Sequence, residues 1–362
     1  MKLNVLRARG WRNLKPLEFE PGPRATVISG DNGQGKTNLI EAVYYLIAFR
    51  SFRTATVGDL WEWEQGQAKL HAAIEGAGLQ RTLAAELGSE RRVFRLDGKP
   101  VRRDSSLLAP FGLVLFVPED LLLPKASPAA RRRFLDLAIF GQERRYYREA
   151  SVYQKLLKSR NGALKRGGDV TLLETYDAQL GNAGARLVLR RRDVCERLRP
   201  KFRQLFADIH ADLDATLCYR CHPSLDGVKE EAQIAGVLEE GLRQRRELDL
   251  RRGFTGYGPH GDDLELSLKG HLAKEHGSQG QLRSLVLALK LAELALLQET
   301  LGEPPILLLD DVASELDGQR RRQLFETIAG LPGQTLITVT DPEFLPQLPS
   351  RTDVRVDSGR LF

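Results

Sequence analysis

Cysteines and long apolar runs are scarce in this 362-residue sequence, and each shortage excludes a class of protein. Three cysteines cannot all pair within one chain, which fits a reducing compartment better than a disulfide-stabilised secreted domain. The longest apolar run, Leu285–Leu297, is interrupted by Lys290 and Glu293, so no segment reaches the roughly 18 residues of a membrane span. Met1–Trp11 lacks the basic, apolar and small-residue order of a signal peptide. We therefore expect a cytoplasmic protein with no membrane association.

Internal repeats, low-complexity tracts and sustained heptads are also absent from the sequence, which argues against fibrous proteins and long coiled coils. Hydrophobic residues make up 42% and charged residues 28%, the balance of a folded globular protein. The length allows two domains, or one large domain that carries an insertion.

The net charge of +6 is unevenly distributed. Residues 121–252 hold 27 Lys and Arg against 18 Asp and Glu, whereas the remainder is slightly acidic. Clustered basic residues suit a polyanionic partner, and arginines on long exposed helices can equally form a solvated face. The excess occurs partly as runs, namely Arg131–Arg133, Arg190–Arg192, Arg245–Arg246 and Arg251–Arg252.

Strand patterns occur at both ends of the chain and helical patterns in its middle. Apolar or alternating segments predict strands at Leu3–Ala8, Ala25–Ile28, Lys69–Glu75, Arg81–Leu87, Arg91–Leu96, Phe111–Val117, Leu264–Leu268, Ile306–Leu309 and Leu336–Val339. Helical spacing dominates from Glu119 to Arg252, and a strongly apolar helix is predicted over Gln281–Glu299. We expect one α/β domain split by a basic helical insertion, with divisions at residues 1–120, 121–253 and 254–362.

The strongest chemical signal is a complete P-loop, which lies between the strand Ala25–Ile28 and a helix predicted over Thr37–Tyr45. Its glycines let successive N–H groups point at phosphate oxygens, and the following helix adds its positive dipole. Lys36 would reach the β- and γ-phosphates, and Thr37 would ligate Mg²⁺. We therefore expect ATP and Mg²⁺ to bind at Gly30, Asp31, Asn32, Gly33, Gln34, Gly35, Lys36, Thr37 and Asn38.

A second motif ends the predicted strand Ile306–Leu309 with two aspartates. In a parallel sheet, ligands bind at the carboxyl ends of strands, which is where Asp310 and Asp311 fall. Asp310 would hold Mg²⁺, and Asp311 would polarise the attacking water as general base.

Between these motifs, Ser278 and Gly280 immediately precede the apolar helix predicted from Gln281. A hydroxyl and free N–H groups at a helix start can bind a second phosphate, and they can equally be an ordinary N-cap. Because the P-loop already provides a complete phosphate cradle, a second phosphate site makes sense if it completes the nucleotide of a neighbouring chain.

The order of these motifs resembles that of ABC-type ATPases, with Ser314–Asp317 similar to their D-loop. Within that superfamily the chain is most similar to the RecF family. The matching strings are Trp11–Leu14, Gly30–Asn38, Phe116–Leu121, Ser127–Asp136, Gly258–His260, Ser278–Gln281 and Leu309–Asp317, which extend from end to end.

The resemblance implies an α/β, ABC-type P-loop ATPase head, with a mixed sheet, an antiparallel meander, an inserted helical lobe and no long coiled coil. Such SMC-like heads dimerise head to tail on ATP, and each signature serine, here Ser278, caps the other chain's γ-phosphate. The family further implies binding to duplex DNA near single-strand gaps, slow DNA-stimulated ATP hydrolysis, and promotion of RecA loading with RecR and RecO in DNA repair and replication. Arg12 and Asn13 would lie near the adenine or ribose, with a plain surface turn as the alternative.

The chain departs from the family pattern at three places. Gly261 stands where the family usually has arginine before two aspartates, so that arginine's role is in doubt here. No histidine follows the strand Leu336–Val339, which leaves Thr340 or Asp341 as a γ-phosphate sensor. Related ATPases have a metal-proximal glutamine after an inner strand. Glu119 occupies that place and is the candidate residue beside the metal.

Two rival functions remain at this stage. An ABC transporter ATPase subunit is disfavoured by the basic insertion between Lys36 and Asp310 and by the missing histidine. A mainly structural SMC-type protein is disfavoured because no long arm exists.

Overall fold

The chain forms two compact units. The first unit combines Met1–Leu122 with Val286–Phe362, and the second comprises Leu123–Leu285. The computed structural model describes the following parts of the chain: 1–62, 65–89, 91–102, 105, 111–210 and 212–362.

Strands and helices are numbered along the chain. The strands of the described residues are β1 (Lys2–Arg9), β2 (Leu17–Phe19), β3 (Ala25–Ser29), β4 (Gln67–Gly76), β5 (Leu79–Gly88), β6 (Arg92–Leu96), β7 (Lys99–Pro100), β8 (Leu113–Phe116), β9 (Ala215–Arg220), β10 (Asp263–Leu268), β11 (His271–Leu272), β12 (Ile306–Asp310), β13 (Thr335–Val339), β14 (Arg351–Asp357) and β15 (Arg360–Leu361). The α-helices are α1 (Lys36–Ala48), α2 (Pro128–Gln142), α3 (Tyr146–Lys165), α4 (Val170–Ile209), α5 (Glu231–Gln244), α6 (Arg246–Arg252), α7 (Ala273–His276), α8 (Gln279–Leu301), α9 (Val312–Glu315) and α10 (Gly318–Gly330).

A largely parallel sheet forms the centre of the first unit. Its strand order is β15-β14-β3-β13-β12-β8, in which every pair is parallel except the β14–β15 hairpin. Strands β12 and β13 are buried along their whole length. Their mostly apolar sequences reflect this burial, because a central parallel strand has no solvent-facing side.

An antiparallel sheet with the order β2-β1-β4-β5-β6-β7 completes the first unit. Strands β4, β5 and β6 are the predicted meander, whose alternating sequences place one face in the core. Helix α1 contributes Leu39, Ile40 and Tyr45 to a core that also includes Leu70 of β4 and Leu308 of β12. The predicted mixed sheet, meander and P-loop head are confirmed.

The second unit is helical with a small sheet, β11-β10-β9. Helix α4 has 40 residues and packs against α3, α5 and β9 within the same unit, so its length does not lead to a coiled-coil arm. The absence of a long coiled coil in the described chain agrees with the prediction.

The divisions predicted from sequence and the units of the structure differ at the second boundary. The sequence pattern places it after residue 253, whereas the second unit continues to Leu285. Strand β9, which the helical pattern of the middle segment did not predict, pairs along its length with β10, from Arg220 opposite Asp263 to Ala215 opposite Leu268. This pairing joins the residues after 253 to the inserted unit.

Among the described residues, no helix has the combined length and apolar character that crossing a lipid bilayer requires.

Candidate nucleotide-binding site

The P-loop lies at the carboxyl edge of the parallel sheet. It follows Ser29 at the end of β3 and leads into α1 at Lys36. Strand β13 pairs with β3 on one side and with β12 on the other. The last residues of β13 and β12, Val339 and Asp310, therefore lie at this same edge. Parallel pairing therefore brings the P-loop and the aspartates of β12 together, as the sequence predicted.

Three glycines of the loop hold backbone conformations that other residues rarely adopt, and Gly33 has φ of 82°. Gly30 has φ of 148° and Gly35 has φ of 117°. A Cβ atom on Gly30 would lie 2.2 Å from the carbonyl oxygen of Val356, which excludes any larger residue. Gly35 is the N-cap of α1, and no side chain of the described residues caps this helix start. The first N–H groups of α1 thus remain available to an anion, and the helix dipole favours one.

Lys36 folds back over the loop. Its Nζ atom donates to the carbonyl oxygens of Gly30, at 2.6 Å, and Asp31, at 2.9 Å. Burial lowers the pKa of Lys36, and the nearby carboxylates of Asp311 and Asp310 oppose that effect. The ammonium group is thereby held within the loop that would cradle phosphates.

Asp310 is surrounded by two threonine hydroxyls. Thr37 Oγ1 donates to Asp310 Oδ1 at 2.9 Å, and Thr338 Oγ1 donates to the same atom at 2.8 Å. Burial raises the pKa of Asp310, and these two hydrogen bonds counteract the rise. Carboxylate and hydroxyl oxygens are the ligands that Mg²⁺ prefers, so the side chains of Thr37 and Asp310 fit that ion.

Thr338 was missed by the sequence analysis, which considered only Thr340 and Asp341 after β13. Its register in the parallel pair places it opposite Asp310. The signal available in the sequence was a hydroxyl inside an otherwise apolar buried strand, since buried hydroxyls require a hydrogen-bond partner.

Asp311 occupies a strained position. Its φ is 51°, in the left-handed region, and its N–H donates to Thr338 Oγ1 at 2.9 Å. Its Oδ1 atom is buried and has no hydrogen-bond partner among the described residues. A buried carboxylate oxygen without a partner at this edge fits a group that receives a proton from a bound water.

The hairpin formed by β14 and β15 supports the P-loop from the side. The backbone N–H of Ser358 donates to Gln34 Oε1 at 2.6 Å, and the N–H of Gly359 donates to the Gln34 carbonyl oxygen at 2.9 Å. Asn13 adds a third support, because its Nδ2 donates to the Gly33 carbonyl oxygen at 3.0 Å. The side chain of Asn38 in turn donates to Asn13 Oδ1 at 2.6 Å. Gln34, Asn38 and Asn13 therefore shape the loop.

Arg12 is engaged by a buried carboxylate. Its Nε and Nη2 atoms each lie 2.8 Å from an oxygen of Glu41, which is fully buried. Arg53 approaches the same carboxylate at 3.7 Å and donates to Asn38 Oδ1 at 2.7 Å. No sequence motif points to Glu41 or Arg53, and a role of Arg12 at the adenine or ribose stays a prediction.

Ser278 and Gln281, in the second unit, form a reciprocal capping box at the start of α8. The Ser278 N–H donates to Gln281 Oε1 at 2.9 Å, and the Gln281 N–H donates to Ser278 Oγ at 3.3 Å. Ser278 itself is exposed, and Gly280 is half-buried beside it. The ordinary N-cap is thus observed, and the exposed helix start is also suited to an external phosphate.

The remaining predicted residues lie at strand ends of the first unit. Glu119 is exposed in the turn after β8, which pairs in parallel with β12. Thr340 and Asp341 directly follow β13, and Asp341 Oδ1 accepts the N–H of Glu343 at 2.9 Å. The role of Glu119 beside the metal stays a prediction. So does that of Thr340 or Asp341 as γ-phosphate sensor.

The arginine runs of the second unit include both buried and exposed members. Arg131 is buried, with Nε and Nη2 at 2.8 and 2.7 Å from the two oxygens of Asp263. Arg191 is buried against Asp136 and the Pro259 carbonyl oxygen. Arg131 and Arg191 are therefore structural members of these runs, because burial requires their charges to be paired, and contact of the other arginines with a polyanion stays a prediction.

The comparisons with known proteins point to one family. A family model described as the RecF/RecN/SMC N terminal domain matches residues 2–358. The DNA replication and repair protein RecF of Anaeromyxobacter sp. (strain Fw109-5) is 44% identical over 365 residues, which cover 100% of this chain and 99% of that relative. The protein of the same name from Geobacter sulfurreducens (strain ATCC 51573 / DSM 12127 / PCA) is 40% identical over 342 residues, or 94% of this chain and 93% of that relative.

Solved structures agree with the sequence relatives. The recombination mediator protein RecF-ATP in the RecFOR pathway has a TM-score of 0.90 at 30% identity, covering 99% of this chain and 96% of that one. An Smc head bound to the C-winged helix domain of ScpA has a TM-score of 0.57 at 14% identity, covering 100% and 96%, and is similar in fold alone.

Proposed function

This chain belongs to the RecF family of DNA replication and repair proteins, and from that membership we propose that ATP controls when it binds DNA. In this proposal, ATP binding joins two copies head to tail on duplex DNA near single-strand gaps. ATP hydrolysis then releases them. The observation that carries the nucleotide part is the cluster of Thr37, Thr338 and Asp310 beside an intact P-loop.

The residues of the first unit divide the work of binding ATP and Mg²⁺. The N–H groups of Gly33–Thr37 and the start of α1 bind the phosphates, and Lys36 exchanges its two carbonyl acceptors for phosphate oxygens. Thr37 and Asp310 would hold Mg²⁺, which would neutralise charge on the phosphates. Thr338 keeps the Asp310 carboxylate oriented and supports its ionised form.

Hydrolysis is assigned to Asp311 as the group that orients water and receives its proton. We expect turnover to be slow and stimulated by DNA. Thr340 or Asp341 stands where related ATPases have a histidine, and neither side chain offers that residue's imidazole. The enzyme thus serves as a switch.

The second copy contributes Ser278 to the first copy's γ-phosphate. The exposed hydroxyl and the start of α8 support this role, because both are suited to an anion from outside the chain. Each ATP is then complete only in the dimer.

The proposed setting is recombinational repair in the cytoplasm. A solved relative is named as a recombination mediator protein of the RecFOR pathway, which supports RecR and RecO as partners. RecA loading is the outcome that we propose. The transporter alternative is not retained, because the family model and the curated relatives that match this chain are those of RecF, RecN and SMC proteins.

The decisive experiment compares binding of the full chain to blunt duplex, single-stranded and gapped DNA, with and without ATP. The expected result is ATP-dependent binding to the duplex and gapped substrates. Lys36→Ala should remove nucleotide binding and the effect of ATP, because no other side chain supplies the phosphate-binding ammonium. DNA binding by the wild type that ATP leaves unchanged would contradict the proposed switch.

A further inference from the structure

One face of α3 carries basic side chains and lies opposite the helix's buried side. The buried side includes Tyr146, Tyr153, Arg160 and Leu164, whose spacing of seven and four residues turns them to one side. The opposite side, which we name the α3 basic face, consists of Arg148, Val152, Lys155, Ser159, Gly162 and the C-cap residue Arg166.

The cations of the α3 basic face are free of ion pairs. Arg148, Lys155 and Arg166 are exposed, and within the described part of the chain none of them has a carboxylate partner. Glu149, the acidic residue of α3, is half-buried and does not lie on this face. The three positive charges are therefore available to a ligand in solution.

The arginine runs elsewhere in the second unit differ from this face. Arg131 and Arg191 are buried in ion pairs, and Arg192 donates to the carbonyl oxygens of Val228 and Leu225. The basic excess of the sequence is thus divided between arginines that hold the fold and lysines and arginines that remain outside. Lys158 and Lys165 are also exposed and border the face.

The shape of the face suits a long, uniform polyanion. Arg148, Lys155 and Arg166 follow each other at about 10 and 16 Å along the helix axis. Ser159 and Gly162 lie between the last two cations, and the Arg166 guanidinium lies beside Gly162, where an added Cβ would be 3.7 Å from Nη1. Exposed Arg251 and Arg252 precede Gly253, where an added Cβ would lie 3.5 Å from the Lys165 side chain, and so they extend the basic surface at that end.

From these observations we infer that the α3 basic face binds the phosphate backbone of duplex DNA. The inference rests on the DNA binding proposed above and names the surface responsible. A protein partner would need an apolar or aromatic centre, and the face offers only Val152, which is 45% exposed. Single-stranded DNA is held largely by stacking of its bases on aromatic rings. The ring of nearby Tyr147 instead packs against Phe140, with 6.2 Å between the ring centres. Phosphate contacts without base contacts give affinity without sequence preference.

The test measures fluorescence anisotropy of a labelled blunt duplex with the full chain and ATP, between 50 and 200 mM salt. The variant Arg148→Gln/Lys155→Gln/Arg166→Gln removes three charges and keeps helix propensity. The matched control, Lys125→Gln/Lys229→Gln/Lys269→Gln, removes three exposed charges elsewhere in the same unit. We expect the first variant to bind at least about tenfold more weakly, with a log–log salt slope reduced by about 2.7, and the control to bind like the wild type.

A third variant, Arg148→Lys/Lys155→Arg/Arg166→Lys, preserves charge and should bind like the wild type, which separates loss of charge from damage to the helix. If the wild type binds duplex and the first variant binds it equally well, the inference is wrong while the proposed function stands. An equal loss in the first variant and the Lys125 control would also overturn it. A wild type that binds no duplex at any salt refutes the proposed function and the inference together.

Discussion

Thr338 shows how much one buried hydroxyl decides at the nucleotide site. It donates to Asp310 and accepts the backbone N–H of Asp311, so it orients both aspartates that end β12. The sequence motif identified the two aspartates, because an apolar strand that ends in acidic residues beside a P-loop is specific. It did not identify Thr338, because cross-strand register is set only when β13 pairs with β12.

Burial favours the neutral form of His260, and two hydrogen bonds hold its ring in place. Its Nε2 lies 2.9 Å from the Thr255 carbonyl oxygen, which can only accept, so Nδ1 accepts from the Tyr153 hydroxyl at 2.7 Å. Burial lowers the pKa of His260 below its ordinary value of 6.5. The Gly258–His260 motif therefore has a structural role within the second unit.

A pH dependence of stability follows from His260. Below pH 6.5 the unfolded chain takes up a proton that the folded chain takes up only at lower pH. We expect the free energy of unfolding to fall as the pH decreases through 6.5, and the His260→Gln variant, which keeps a donor and an acceptor, to lose part of this slope. Urea titrations from pH 5 to 8 measure the free energy of unfolding at each pH. The control is His276→Gln, because His276 is exposed. Equal slopes in wild type and His260→Gln would contradict the prediction.

Arg131 and Arg133, which lie two residues apart in one run, should respond differently to charge reversal. Arg131→Glu places a carboxylate against Asp263 in a buried site, and we expect it to lower the free energy of unfolding by about 3–5 kcal/mol. Arg133 is exposed, so Arg133→Glu should change the free energy of unfolding by no more than about 0.5 kcal/mol. Chemical denaturation of both variants measures the difference. Similar stabilities would show that the ion pair with Asp263 contributes little.

At the scale of elements, the β14–β15 hairpin positions the P-loop. Its turn donates two backbone N–H groups to Gln34, and the Gly359 carbonyl oxygen accepts the N–H of Lys15 at 3.0 Å. The sequence analysis predicted neither strand. Strand β14 is charged and mostly outside the core, so it lacks the apolar pattern by which buried strands are recognised.

Gly359→Ala tests this support. Gly359 has φ of 76°, and an added Cβ would lie 2.2 Å from the Asn13 carbonyl oxygen, so the turn must move away from the P-loop. We expect the Kd for ATP to rise about tenfold, equivalent to about 1.4 kcal/mol. Gly78→Ala is the control, since Gly78 has φ of 70° in another hairpin and a Cβ there meets nothing within 4 Å. Nucleotide titration followed by fluorescence gives both Kd values, and equal values for the two variants would exclude a positioning role.

At the scale of the whole molecule, ATP should change the mass of the particle. Light scattering should show the wild type as a dimer with ATP and Mg²⁺, and Ser278→Ala as a monomer that still binds ATP, because the variant lacks the hydroxyl that caps the partner's γ-phosphate. The substitution also removes an N-cap, which costs about 1 kcal/mol. Asp169→Ala removes the N-cap of α4 in the same unit and is the matched control. Normal dimerisation of Ser278→Ala would refute capping between chains.

The distribution of charge could be predicted only in part. Counting residues located the basic excess in the middle of the chain, and that segment does form most of the second unit. Counting could not distinguish Arg131, which is buried with Asp263, from Lys155, which is exposed. Whether a charge is paired depends on residues that lie far away in the sequence.

The primary sequence was sufficient for the P-loop, the aspartates after β12, the meander and the α/β class, because each depends on local spacing: glycines at set positions, apolar residues in short periods, and acids at a strand end. Tertiary structure decided the partners of those residues. It brought Thr338 into a hydrogen bond with Asp310 and the β14–β15 hairpin into a hydrogen bond with Gln34. It also paired β9 with β10. These contacts join residues brought together only by strand pairing and burial, and no local pattern specifies them.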